Sequence, residues 1–366
     1  MPYSKFSLPK YPCTSDMWTD LRKETRPIVI YGMGNGADKL IERFENIGIK
    51  YADIFASDGF LRGHSFHGIR VKSLEEIRTL YEDFVIVLSF ASNREEVLYM
   101  LSELNMRFDM YVPDMPVAGV DEYFDMDFYN ANYEKIVCAY DLFFDEDSKN
   151  AFAAIINFKL SGRMSYLMEA YSERDELYSL FPKNDIRTVV DAGAYNGDTA
   201  REAKHYFPSL ERIYAIEPDK RNYKKLLKYS EDENDVEVIP INAAVWSESS
   251  RGEFFGSGNR NSTVVATSSY EHVVTEVSLV SVDDITDGKV DYVKYDVEGA
   301  ECEALLGSKK LVLRDKPSLL VSLYHRSRDI FALPLMLSEW CGEYKFYLRR
   351  LKCLPAWEID LIMIPT

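Results

Sequence analysis

The stretch whose reading decides the fold runs from Val189 to Thr199, VVDAGAYNGDT. A β-branched apolar run ends in an acid, a glycine turn follows, and a helical segment begins. This is the opening of a strand–turn–helix unit in an α/β sheet. Such a turn presents backbone amides to a nucleoside ligand at the N-terminus of the helix. Gly193 permits close approach of backbone and ligand, Gly197 permits tight entry into the helix, and Asp198 is placed to cap it. Asp191, Gly193, Ala194, Tyr195, Asn196 and Gly197 are therefore candidate cofactor contacts.

A lone βα turn could read the same way, so the segments downstream carry the weight. Glu217 follows the next strand in YAIEPD, 20 residues beyond Gly197. A carboxylate there accepts both hydroxyls of a ribose. Glu217 and Pro218 join the candidates, and so do Asn242 and Ala243 in PINAAV, at the end of the third strand, where an adenine would lie. The fourth strand ends in KYDVEGAE, with Asp296, Glu298 and Glu301. A dehydrogenase has no use for acids here, whereas a methyltransferase places its active site at this point, beside the sulfonium. Asp296 and Glu298 are candidate catalytic residues at this strand end, while Glu301 reads as helix capping and solvation. The Asn/Asp-Pro-Pro-aromatic run of amine methyltransferases acting on bases is not present. His325, in SLYHRSRD at the fifth strand end, is the remaining candidate, as a general base.

From Ile186 onward seven strands can be traced: TVVDAG, IYAIEP, VEVIPINAAV, VDYVKYDVEG, PSLLVSLYH, YKFYLRR and EIDLIMIP. Helices fit between the first six, and the short last connection predicts an antiparallel final hairpin. The polar insertion Gly252–Ile285 is expected to add a hairpin near the site.

Upstream, PIVIYGMGNGADKLIERFENIG begins at Pro27 and repeats the strand–glycine–helix grammar. Gly32, Gly34 and Ala37 fit G-x-G-x-x-A, and Asp53, 21 residues beyond Gly32, could serve a ribose. Residues 1–115 thus read as a smaller Rossmann-like α/β domain that completes its own sheet. Residues 116–185 read as a helical connector whose aromatic stripe is core. Residues 186–366 form the larger domain. His64 and His67 have H-x-x-H spacing but no third ligand in sequence.

The chain carries 60 acidic against 43 basic residues, a net charge of −17. That balance argues against a nucleic-acid partner, which requires a basic surface. Five scattered cysteines without a C-x-x-C pair indicate reduced thiols and a cytoplasmic setting. The N-terminus lacks the pattern of a signal peptide, and no apolar run approaches a membrane span.

On VVDAGAYNGDT, AIEPD, INAAV, KYDVEGAE and SLYHRSRDIFALPLML, residues 185–366 resemble the FkbM-type methyltransferases. The resemblance implies a class I, seven-stranded, S-adenosylmethionine-dependent fold and O-methylation of a sugar or other biosynthetic hydroxyl. It places Asp191, Gly193, Tyr195, Gly197, Glu217 and Asn242 around the cofactor, with a small-molecule or glycan acceptor beside Asp296. VSLYH lacks the glutamate that many relatives carry there, and Glu358 and Asp360 interrupt an apolar final strand. Metal dependence and homo-oligomerisation stay open. The competing readings are an inactive nucleotide-binding scaffold and an NAD(P)-dependent sugar-modifying enzyme that uses the N-terminal domain.

Overall fold

The computed structural model describes residues 5–61, 63–118, 122–256 and 273–366. Four short strands form the first sheet: β1 (Ile28–Tyr31), β2 (Asp53–Phe55), β3 (Val85–Leu88) and β4 (Asp109–Tyr111). They are all parallel, in the order β2–β1–β3–β4. Continuous apolar runs such as IVIY suit strands covered on both faces. One face packs under Asn35–Ile47 and Met17–Lys23.

The other face does not close on itself. Val29, Tyr31, Ile86 and Met110 belong to one hydrophobic core with Phe152 and Ile156 of the connector and with Val190, Val293 and Leu361 of the larger sheet. The connector helices Met126–Leu142 and Glu146–Ser161 start at Asp125 and Asp145, whose side chains accept the backbone N–H of Phe128 and Ser148. Ser148 Oγ in turn accepts Leu348 N–H at 2.9 Å. The aromatic stripe is core, as its spacing predicts, and it links the two sheets.

The larger sheet contains β5 (Thr188–Ala192), β6 (Arg212–Ile216), β7 (Glu237–Ile241), β8 (Tyr292–Tyr295), β9 (Ser318–Ser322), β10 (Tyr344–Arg350) and β11 (Ile359–Pro365). Its order is β10–β11–β9–β8–β5–β6–β7, and β11 runs antiparallel to both neighbours. The seven strands and the final hairpin agree with the sequence reading. Helices connect β5 to β6, β6 to β7, β8 to β9 and β9 to β10. The β7–β8 connection differs: its described residues hold the short helix Val282–Ile285, an antiparallel pair, Ser250–Gly256 with Val273–Val280, and Ala244–Val245 laid parallel on the second of these. The pair is the predicted hairpin, while residues 257–272, also part of that insertion, lie outside the described residues. No helix among the described residues is long and apolar enough to cross a membrane.

The chain leaves β5 towards β6 and β7, then returns to β8 on the other side of β5. The two loops that leave β5 and β8 diverge at this reversal, and the crevice between them is where open α/β sheets bind ligands.

Candidate active site

A cavity of about 480 Å³ occupies that crevice, a size ordinary for a small-molecule site. Gly193, Tyr195, Glu217, Pro218, Ala243 and Asp296 line it, all of them cofactor candidates from the sequence. Glu217 is held from both sides: Oε2 accepts Tyr195 N–H at 3.0 Å and Oε1 accepts Asp219 N–H at 2.8 Å. Burial pushes its carboxyl up to about 7 against those two donors. Each oxygen keeps acceptor capacity, so a pair of hydroxyls arriving from the cavity would complete the set. Ile216, Ala244, Val245 and Val297 supply an apolar wall beside it.

Five cofactor candidates stand behind the wall instead of on it. Asp191 is buried, accepts a hydrogen bond from Thr199 Oγ1 and lies 3.8 Å from Lys294 Nζ. Ala194 packs in the core. Asn196 and Gly197 shape the turn. Asn242 gives its amide N–H to the carbonyls of Glu217 and Pro218, at 2.8 and 3.2 Å, tying two strand ends together where an adenine contact was expected. Gly193 is required by the fold itself: a Cβ there would lie 1.9 Å from the carbonyl oxygen of Asp296, at φ +90°. Asp198 is the first residue of its helix and Gly197 is the cap, so the predicted capping role moves by one residue.

On the opposite side, Asp296 sits between Lys294 (Nζ to Oδ2, 3.4 Å) and Tyr324, whose hydroxyl donates to Oδ1 at 3.3 Å. Burial opposes its charge, but Lys294 and His325 outweigh burial and keep the carboxyl below its usual range. Glu298 lines the cavity beside it, with a left-handed φ of +54°.

His325, expected as a general base from its strand-end position, stands among three carboxylates. The side chain is fully buried, with Nδ1 2.9 Å from Glu301 Oε1 and Nε2 3.5 Å from Glu298 Oε2 and 3.6 Å from Asp296 Oδ1. Burial pulls its pKa down, yet Glu301, Glu298 and Asp296 together push it up to about 10. Glu301, expected to be solvated, is 1% exposed and accepts the N–H groups of Val297 (2.9 Å) and Gly299 (3.3 Å). It fixes the β8 loop. Asp296, Glu301 and His325 bring ligand-type atoms within 4.8 Å of one another, and this is the cluster suited to a metal ion among the described residues.

Several lining residues escaped the sequence reading. Asp360 and Glu358, noted only as interruptions of an apolar strand, line the cavity floor with Lys294. Burial pushes the Asp360 carboxyl up to about 8, helped by Glu358 and Asp296. Arg174 and Tyr178 enter from the connector and Asn93 from the first domain. Only alternation along β11 could have signalled Asp360. Nothing local to Asn93 or Arg174 marks them, because the tertiary packing delivers them. Carboxyl groups dominate the described lining: Asp198, Glu202, Glu217, Asp219, Asp296, Glu298, Glu358 and Asp360 face, among the described residues, only Arg174 and Lys294 as cations.

The first domain gives its fingerprint other work. Asp53 accepts hydrogen bonds from Lys72 Nζ and from Tyr81 Oη (2.7 Å), so it is already engaged where a ribose partner was expected. His67 Nε2 lies 2.8 Å from Asp38 Oδ1 and His64 Nε2 lies 3.0 Å from Met33 Sδ, so the H-x-x-H pair does not converge on one point.

Sheet order, reversal point and cavity together define a methyltransferase-like α/β fold with Rossmann-like character. Residues 191–345 match the family described as the methyltransferase FkbM domain. The whole chain is similar in structure to the methyltransferase FkbM of Methylobacillus flagellatus KT, over 98% of this chain and 94% of that one, with a TM-score of 0.69 at 18% identity. That likeness is one of fold, and it extends through the first domain and the connector. An rRNA methylase of Streptococcus thermophilus aligns over 53% of this chain and 97% of its own, with a TM-score of 0.35 at 12% identity. The fibrillarin of Aeropyrum pernix, in complex with natively bound S-adenosyl-L-methionine, aligns over 50% and 69%, with a TM-score of 0.30 at 16% identity. No curated protein matches the chain in sequence.

Proposed function

We propose that this protein is a cytoplasmic, S-adenosylmethionine-dependent O-methyltransferase acting on a hydroxyl of a sugar or other small biosynthetic intermediate. The observation that carries the reading is Glu217, a buried carboxylate held by two backbone N–H groups at the end of β6, facing the cavity at the sheet reversal. Its remaining acceptor capacity suits a ribose diol, and the apolar wall of Ala243, Ala244 and Val245 suits a purine. The excess of carboxylates favours a cationic cofactor and disfavours a phosphorylated acceptor. Five free cysteines support a reducing compartment.

S-adenosylmethionine supplies a methyl group on a positively charged sulfur, ready for displacement by an oxygen in line. The protein's share is chiefly to hold the acceptor there, a proximity effect worth up to about 7–11 kcal/mol. Asp296, which holds the Tyr324 hydroxyl proton, has acceptor capacity left for the incoming hydroxyl, and so does the Tyr324 oxygen. Asp360, whose carboxyl burial pushes up to about 8, can collect the hydroxyl proton once it is itself deprotonated.

Calorimetric titration of S-adenosylhomocysteine into wild type and Glu217→Ala tests the assignment. Hydrogen bonds to a charged group are worth about 1.5–3 kcal/mol, so Kd should rise roughly ten- to a hundred-fold in the variant. Equal affinities, or no binding by the wild type, would leave an inactive scaffold as the better description.

A further inference from the structure

The imidazole of His325 is oriented in a way that the reaction as described does not use. Glu301 Oε1 lies 2.9 Å from Nδ1, and the same oxygen is anchored by the N–H groups of Val297 and Gly299. One nitrogen thus stands at ion-pair distance from an anchored carboxylate, though without the alignment of a hydrogen bond. The other, Nε2, is fully buried and has no hydrogen-bond partner among the described residues. It points between two carboxylates of the cavity wall, Glu298 Oε2 at 3.5 Å and Asp296 Oδ1 at 3.6 Å.

These separations are long for hydrogen bonds and short for groups that ignore one another. Two ligand atoms each about 2.1 Å from a tetrahedral ion lie about 3.4 Å apart, close to both observed distances. A histidine that gives one nitrogen to a carboxylate and turns the other to a metal is the usual supporting arrangement of a protein metal site. The charges agree, because Asp296, Glu298 and Glu301 place three carboxylates around one imidazole. We infer that His325 Nε2, releasing its proton to solvent as the ion binds, forms with Asp296 and Glu298 a binding site for a divalent first-row transition ion, with Glu301 as the positioning residue on Nδ1. A mixed imidazole and carboxylate set suits manganese or zinc better than magnesium.

The site opens on the cavity through Asp296 and Glu298. If methyl transfer is the reaction, a reading on which only this role of the ion rests, an ion here would orient and polarise the acceptor oxygen. Binding itself does not depend on that reading.

The full-length chain is stripped with a chelator and titrated with Mn²⁺, followed by electron paramagnetic resonance and calorimetry, with Zn²⁺ in a parallel series. One ion per chain is expected, with affinity at least tenfold weaker in Glu298→Gln and unchanged in Glu96→Gln, an exposed carboxylate far along the sequence. His325→Gln tests the nitrogen ligand; Glu298→Gln keeps the inference falsifiable should that variant fail to fold. Absence of stoichiometric binding of both ions by wild type, or undiminished binding in Glu298→Gln, would overturn it. Titration of S-adenosylhomocysteine into the same samples separates the two claims. Ligand binding without metal sinks this inference alone, and metal binding without ligand sinks the methyltransferase reading alone.

Discussion

Asp360 shows how far a single side chain's environment sets its chemistry. It lies on a strand that is otherwise buried and apolar, beside Glu358 and Asp296, with Lys294 as the compensating cation. Burial and the two neighbouring acids hold the proton on until about pH 8. A base is competent only once deprotonated, so turnover should rise with pH through about 8 and then level off. Asp360→Asn should lower turnover by roughly two to four decades and flatten that rise. A rise that survives the substitution would assign the proton to Asp296 or to solvent. His325 teaches the converse. Its position at the end of β9 was legible in SLYHRSRD, but the three carboxylates that keep it charged arrive from the β8 loop. Position along the chain could not reveal that neighbourhood.

Between residue and molecule, the turn after β5 is the element on which the site depends. Gly193 and Gly34 both adopt positive φ, +90° and +97°, yet their surroundings differ. A Cβ on Gly193 would overlap the carbonyl oxygen of Asp296, whereas nothing lies within 4 Å of one on Gly34. Gly34→Ala should therefore cost only backbone strain, about 1 kcal/mol by urea denaturation. Gly193→Ala adds displacement of the β8 loop, with Asp296 on it, and should cost at least about 3 kcal/mol. Equal losses would show that the two loops are not in the contact described. The glycines were evident in VVDAGAYNGDT, but the reason for Gly193 was not: the sequence pointed to a ligand, and the fold supplies a neighbouring loop.

At the scale of the whole molecule, the two sheets share one core through the connector. Val112 N–H donates to Gly162 O at 2.8 Å, Lys159 pairs with Asp114 inside that contact, and Arg163 pairs with Asp109. Asn93 of the first domain reaches the cavity, and Ala118 N–H donates to His325 O at 2.9 Å. Such sharing predicts one cooperative thermal transition for the full chain, with calorimetric and van't Hoff enthalpies equal. Two resolved transitions would instead support a first domain that folds independently, as its self-sufficient strand order suggests. By itself the sequence determined the seven strands and the acid at the end of β6, because these rest on local periodicity, turn chemistry and spacing. Tertiary structure alone decided that Asn242 ties loops, that His325 is charged and walled in, and that Asp360 and Asn93 meet at one cavity. Burial, and the charge of neighbours distant in sequence, depend on packing that no local pattern records.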